Sequence, residues 1–262
     1  MKKSRAAALK ALELDASLPE GHSALGLVRL YSDWDWTGAT QSFKRAIEIN
    51  PSLADARRAY ASELAFLGRL PEAIDELEKV REIDPVGFRE WDPGLGLLYE
   101  MTGHHDKAMA EWKRKLELAP SSHGPHKEIG RGYCQRGEFD KGIAALVRAV
   151  ELSPDDPMIV GDLGHCYAVA GKGDDARKLL RGLELLSSEE YVDPLGIARI
   201  YVGLGQNEEA LEALETAYEL HAHDLPAIGW DRRFEPLYGE PRFQDLLRGI
   251  GLDARKTVVL IQ

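Results

Sequence analysis

Residues 130–146 of the chain, GRGYCQRGEFDKGIAAL, contain the pattern that decides the fold. The pattern is a small residue, an aromatic residue, a glycine, a second small residue and a large apolar residue, here Gly130, Tyr133, Gly137, Gly142 and Leu146. These spacings place apolar side chains on one face of a helix on either side of the central glycine. Each segment is too short to be a stable helix alone. We therefore predict two short helices that pack against each other across a left-handed turn at the glycine.

The same pattern recurs along the chain. Five glycines are separated by 35, 34, 34 and 34 residues: Gly68, Gly103, Gly137, Gly171 and Gly205. A small residue follows five positions after each of them: Ala73, Ala108, Gly142, Ala176 and Ala210. A repeated helix pair cannot bury its apolar face alone, so successive pairs stack around one elongated core. The sequence therefore predicts an all-α solenoid with a concave face.

This spacing resembles the tetratricopeptide repeat, whose pitch is 34 residues. The resemblance implies a right-handed α-solenoid whose job is recognition rather than catalysis. We predict a half repeat and six repeats over residues 1–221, a helical cap over 222–252 and a tail over 253–262. Because the half repeat lacks its first helix, we expect the chain to be a piece of a longer protein.

The first repeat departs from the pattern and narrows the resemblance. Gly26 and Ala39 are thirteen residues apart, against twelve for Ala61 and Ala73, and the extra residue falls within SDWDW, 32–36, which replaces the usual glycine turn. This motif is similar to the first repeat of certain bacterial regulatory proteins. The ending RRFEPL, 232–237, with PRF, 241–243, is similar to the end of the same proteins. In those proteins the array follows a winged-helix, serine/threonine kinase or nucleotide-cyclase domain. The resemblance implies the sensory or docking region of a protein in signal transduction or transcription regulation.

Charge and composition exclude several other functions. Lysine and arginine number 33 and aspartate and glutamate 44, which gives 33 − 44 = −11. We therefore expect no direct nucleic-acid binding. No apolar run approaches the roughly 20 residues that a membrane helix needs, so we expect no membrane insertion. We predict a cytoplasmic protein, or a periplasmic one if a transmembrane segment precedes the array.

The first helix of each pair supplies the concave face of such an array. In its carboxy-terminal half this predicted face has cations and apolar residues but no acid. We therefore predict a groove that binds a protein or peptide through an acidic or mixed acidic-apolar segment. The predicted groove residues are Arg58, Lys127, Arg131, Cys134, Met158, His165, Leu195, Arg199 and Val202. The alternatives are solvated charges without a ligand, a self-associating structural module and a small-ligand sensor.

Catalytic and metal-binding patterns are missing from the sequence. No nucleophile accompanies a base, and neighbouring histidines such as His123 and His126 lack the ligand spacing of a zinc site. We predict that the chain is not an enzyme and has no cofactor or metal. Cys134 and Cys166 are more simply explained as small core or surface residues than as a redox pair.

Overall fold

The computed structural model describes residues 2–90 and 94–252, which form helices and turns without a β-strand. The predicted tail, 253–262, lies outside the described residues. The α-helices are α1 Lys2–Leu14, α2 Pro19–Val28, α3 Trp36–Ile49, α4 Ala54–Phe66, α5 Leu70–Ile83, α6 Pro85–Glu90, α7 Leu95–Met101, α8 His105–Leu118, α9 His123–Gln135, α10 Phe139–Leu152, α11 Pro157–Val169, α12 Gly173–Ser187, α13 Pro194–Gly203, α14 Asn207–Glu219 and α15 Pro241–Gly249. This is the predicted right-handed α-solenoid.

The repeated glycines make the turns within the helix pairs. Gly68, Gly103, Gly137, Gly171 and Gly205 have φ between 72° and 76°, as predicted. This left-handed conformation reverses the chain without the steric penalty that a Cβ would add. The small residue that follows each turn is fully buried where α5, α8, α12 and α14 pack on their partners, as Ala73, Ala108, Ala176 and Ala210 show.

The first pair makes its turn without glycine. Arg29–Asp33 form a π-helical turn after α2, and this wider turn absorbs the extra residue that the sequence indicates. Trp34 then takes the left-handed conformation, with φ 51°, and Asp35 caps α3 by accepting a hydrogen bond from the Gly38 amide. The indoles of Trp34 and Trp36 are thereby placed at one edge of the repeat.

Helices α11 and α13 approach each other closely. A Cβ added to Gly161 would lie 2.5 Å from the Cα of Gly196, so the two backbones touch. Gly164 on α11 makes a second close contact with α13, because a Cβ there would meet the side chain of Ile200. Glycines at these positions set the distance between neighbouring repeats and hence the local curvature.

The carboxy-terminal segment returns across the concave side. Two 3₁₀ turns, Leu225–Gly229 and Arg232–Leu237, precede α15, and the first contacts both α14 and α4. Phe234, Leu237 and Phe243 are fully buried and join the core of the last pair. The predicted boundaries of the array and the cap stay predictions, but the segment covers far more than the last repeat.

The two ends of the solenoid meet in what we call the clasp, residues 31–36 of the first pair against 218–223 and 250–251. Trp34 stacks on Tyr218 and His221, with ring centroids 5.4 and 4.6 Å apart. Tyr31 stacks on His223 at 4.1 Å. Because these contacts join the first pair to the last, the solenoid closes into a ring at the clasp.

A disulfide joins neighbouring pairs. Cys134 on α9 and Cys166 on α11 are bonded, with Cα atoms 5.9 Å apart. The interpretation of these cysteines as unpaired small residues is therefore wrong. Their separation of 32 residues places them at almost the same position of consecutive repeats, and stacking brings such positions together.

Candidate functional site

The concave face encloses a cavity of about 400 Å³. Helices from successive pairs form its walls, and the returning carboxy-terminal segment closes one side. The lining residues are Tyr31, Ala61, Ser62, Ala65, Phe66, Leu77, Gly94, Leu97, Leu98, Met101, Lys127, Glu128, Arg131, Asp156, Met158, Arg199, Asp224, Ala227 and Trp230. The volume lies within the roughly 300–1,000 Å³ of small-ligand pockets.

The cavity wall has apolar and charged residues. Phe66 on α4 and Leu97 and Met101 on α7 are apolar lining residues. Lys127, Glu128 and Arg131 on α9 are charged lining residues; Lys127 and Arg131 are four positions apart and therefore lie on the same face of the helix. A guest with both an apolar and a polar part would match these surroundings.

Four of the nine predicted groove residues line this cavity: Lys127, Arg131, Met158 and Arg199. Cys134 and His165 line a second, small void of about 40 Å³ beside it. Arg58 pairs with Asp55 and Asp84 away from both. Leu195 and Val202 are 1% and 5% exposed and belong to the core, because the returning segment packs on α13. The concave stripe is therefore divided between cavity, void and core.

A buried ion network fills the carboxy-terminal half of the predicted groove. Asp162 on α11 accepts a hydrogen bond from Arg199 at 3.1 Å and a shorter one from Arg233. Asp231 accepts from Arg233 Nε at 2.8 Å and lies 3.6 Å from Arg199 Nε. The acidic residues that reach Arg199 are therefore Asp162 and Asp231 of the same chain.

The network keeps its carboxylates ionised. Burial opposes ionisation of Asp162, yet the guanidiniums of Arg233, Arg199 and Arg131 hold its pKa well below the ordinary value. The pKa of Asp231 is lowered in the same way, chiefly by Arg233. Since removal of one partner from a buried pair strands the other charge, these groups fix the returning segment against α11 and α13.

His165 lies beside the network as a neutral imidazole. Its Nδ1–H donates a hydrogen bond to the carbonyl oxygen of Arg199 at 2.9 Å. Burial and the Arg233 charge lower the pKa of His165 to about 4. The imidazole is therefore uncharged at neutral pH and stabilises the packing of α11 on α13.

Several cavity residues that the sequence did not indicate come from irregular segments. Tyr31 lies on the π-helical turn, and Asp224, Ala227 and Trp230 lie in the returning segment. Burial and the nearby Asp224 carboxylate raise the pKa of Tyr31 to about 12, so it is a neutral phenol. The irregular SDWDW turn was the signal that this region differs from an ordinary repeat.

Metal and membrane chemistry find no support in the described ranges. Within residues 2–90 and 94–252, histidine, cysteine and acidic side chains do not gather in groups of three that could hold a metal ion. In the same ranges, no helix combines the length and apolar character that a membrane crossing demands.

Comparison with known proteins agrees with the fold. Tetratricopeptide repeat models match residues 134–193 and 195–223. A tetratricopeptide repeat protein from Parabacteroides merdae superposes with a TM-score of 0.65 at 16% identity, over 93% of this chain and 89% of that one. Thermus thermophilus TTC0263, a thermophilic tetratricopeptide protein, superposes with a TM-score of 0.57 at 21% identity, over 75% and 99%. Residues 134–193 and 195–223 thus match the tetratricopeptide repeat, and the chain has the fold of tetratricopeptide repeat structures, which supports a protein-interaction or scaffold module.

One group of curated relatives is similar over part of the chain. The transcriptional regulator HilA of Salmonella typhimurium is 29% identical over 106 residues, which are 40% of this chain and 19% of the regulator. HilA of Salmonella typhi matches to the same extent. The match therefore covers about a fifth of the regulator's length, 19%.

Proposed function

We propose that the chain is the non-catalytic recognition region of a bacterial regulatory protein and that it binds a compact ligand in the concave cavity. The observation that carries this proposal is the enclosure of the cavity by both the repeats and the returning segment. Partial similarity to a transcriptional regulator supports the regulatory context. The fold class supports a role in recognition.

The filled groove distinguishes a compact ligand from a long peptide. An extended segment along the whole concave face would have to displace Asp231 and Arg233, which are buried in the ion network. It would also have to displace the apolar residues that follow them in the core. A small molecule, or one or two side chains of a partner, needs only the existing 400 Å³. The ligand-sensor alternative is thus favoured over a groove for an extended peptide.

The ring gives the ligand a way to influence other regions. A guest in the cavity touches α4, α7, α9, α11 and the returning segment together, so it adds contacts that hold their relative orientation. A ligand shifts a conformational equilibrium only by its difference in affinity for the two states. We propose that occupancy is transmitted as a change in the curvature of the array, which a partner protein detects.

A cavity-filling substitution tests this proposal. The full chain is screened against a small-molecule library by thermal shift, and the affinity of each hit is measured by calorimetry. Ser62 lines the cavity, and its hydroxyl bonds Arg58 O on its own helix and the Tyr31 side chain. Ser62→Phe fills the space and should weaken binding at least tenfold, and Ser62→Ala, which removes the same hydrogen bonds without filling the cavity, should bind the hits nearly as the unmodified chain does.

The matched control is Ser52→Phe, because Ser52 is exposed in the turn before α4. It should bind the hits as the unmodified chain does. If Ser62→Phe binds them with unchanged affinity, or if the library yields no hit, the cavity is not the recognition site and the proposal fails.

A further inference from the structure

The cavity wall contains both carboxylates and cations. Each of its three carboxylates accepts a hydrogen bond from its own chain. Asp156 accepts from the Met158 amide at 2.9 Å, Asp224 from His223 Nδ1 at 2.9 Å and Glu128 from Arg131 Nη1 at 3.2 Å. The position of each carboxylate is therefore set by a partner from the same chain.

Lys127 is the least committed cation of the wall. Its side chain is 28% exposed, and its Nζ lies 3.4 Å from Glu128 Oε1, its one ion-pair partner among the described residues. An ammonium group has three N–H donors, so it can also donate a hydrogen bond to a second anion. Arg131 and Arg199, by contrast, are each held by two carboxylates.

The remaining unpartnered polar atoms of the wall are donors as well. In the described part of the chain, the buried cavity-lining side chains have three polar atoms without a hydrogen-bond partner: Arg131 Nε, Arg199 Nε and Trp230 Nε1. All three are N–H groups. Arg131 Nε and Arg199 Nε still lie 3.9 and 3.6 Å from the carboxylates of Asp162 and Asp231. The Trp230 indole N–H is a donor only, and it has no acceptor among the described residues, so it can donate to an anionic guest.

From these observations we infer that the ligand of the cavity is a small carboxylate with an apolar or aromatic body, and that Lys127 binds its carboxylate. The inference rests on the proposed function and names the ligand class of the same site. The apolar body contacts the apolar lining residues Phe66, Leu97 and Met101. A charge-assisted hydrogen bond in a poorly hydrated site provides the selectivity.

Three probes of one shape and different charge test the inference. Phenylacetate, phenylacetamide and phenethylamine carry the same aromatic ring, and their binding to the full chain is followed by calorimetry and tryptophan fluorescence. We expect phenylacetate to bind at least tenfold more tightly than the amide, and the amine more weakly still. The acetylated peptide Ala-Phe-Glu-Ala-amide is a fourth probe. It carries an aromatic ring and a carboxylate, as a segment of a partner protein would.

Substitution of Lys127 assigns the effect to one residue. Lys127→Met should reduce the affinity for phenylacetate at least tenfold without changing that for the amide, and Lys127→Arg should restore most of it. The matched control is Lys172→Met, because Lys172 is 45% exposed, has its nearest acid at 3.8 Å and does not line the cavity.

The outcomes separate the inference from the proposal on which it rests. If the amide or the amine binds as well as phenylacetate, or if Lys127→Met leaves phenylacetate affinity unchanged, the carboxylate inference is overturned while the cavity remains a binding site. If the peptide binds and phenylacetate does not, the free small ligand is ruled out. Absence of binding by every probe and every library compound overturns both.

Discussion

Trp36 donates a hydrogen bond from its indole Nε1 to the main-chain carbonyl of Ile250, at 2.7 Å, across 214 positions of sequence. The first residue of α3 is thereby tied to the end of α15. Gly251, with φ 73°, leaves room for the indole, since a Cβ there would lie 2.9 Å from Trp36 Nε1. The bond is the polar centre of an otherwise aromatic clasp.

Trp36→Phe removes this bond and should lower the free energy of unfolding by about 1–3 kcal/mol beyond the loss of packing, because the Ile250 carbonyl is left without a partner. Trp230→Phe is the matched control, since Trp230 Nε1 has no acceptor in the described part of the chain. Urea unfolding measures both. Equal losses for the two variants would mean that the Trp36 hydrogen bond contributes nothing to the clasp.

Gly161→Ala should destabilise the protein by about 2–4 kcal/mol, within the range of overpacked cores. The added Cβ would meet the backbone of Gly196 at 2.5 Å, and backbone cannot rotate away as a side chain can. Gly182→Ala is the control, because a Cβ there meets nothing within 4 Å. That variant should gain about 0.5–1 kcal/mol from helix propensity. Thermal unfolding compares the two, and a tolerated Gly161→Ala would contradict the described contact.

Glu63→Gln should stabilise the protein at pH 8 by about 1–3 kcal/mol and have little effect at pH 4.5. Burial raises the pKa of Glu63 to about 7, although a hydrogen bond from Thr40 opposes the shift. Between roughly pH 4.5 and 7 the unfolded chain therefore loses this proton first, so rising pH favours unfolding. The neutral amide avoids that cost. Urea unfolding at the two pH values tests it, and a pH-independent difference would contradict the raised pKa.

His165→Gln should reduce the loss in the free energy of unfolding that occurs as the pH falls. The folded pKa of about 4 lies below the ordinary 6.5, so the unfolded state binds this proton first as pH falls between those values. The unmodified chain should lose about 1–3 kcal/mol in that window for this reason. The variant keeps a donor for the Arg199 carbonyl but does not titrate. Parallel pH-stability curves for the two proteins would show that His165 is not buried in neutral form.

Reduction of the Cys134–Cys166 disulfide should lower the free energy of unfolding by about 4 kcal/mol, the loop-entropy value for a 32-residue separation. Unfolding with and without dithiothreitol gives this difference. The double variant Cys134→Ser, Cys166→Ser is the control and should be insensitive to dithiothreitol. Two free thiols in the unreduced, denatured protein would show that the bond does not form.

The sequence predicted the parts of the structure that depend on neighbours along the chain. Helix pairs, left-handed glycines such as Gly137 and the site of the irregular turn at Trp34 follow from local spacing, and all appear in the structure. Stacking of the first helices of successive pairs brings Lys127, Arg131 and Met158 to one cavity. These features need only the repeat period and helical geometry.

Features that depend on the summed curvature could not be predicted in this way. Whether Trp36 reaches Ile250 depends on small rotations added over every intervening repeat, and a 34-residue period does not specify them. The sequence therefore predicts the groove but neither its closure by the carboxy-terminal segment nor Asp231 as the partner of Arg199. The cysteine pair was missed because spacing alone does not show which way two side chains on adjacent helices point.

Closure of the ring constrains how the molecule can deform. In an open superhelix, one repeat can tilt and the far end simply moves. Here both ends are fastened, so a tilt at one repeat must be compensated by an opposite tilt elsewhere or by separation of Trp36 from Ile250. A small displacement at any wall of the cavity therefore changes the contacts of the clasp. The clasp is the place where a distant partner could detect it.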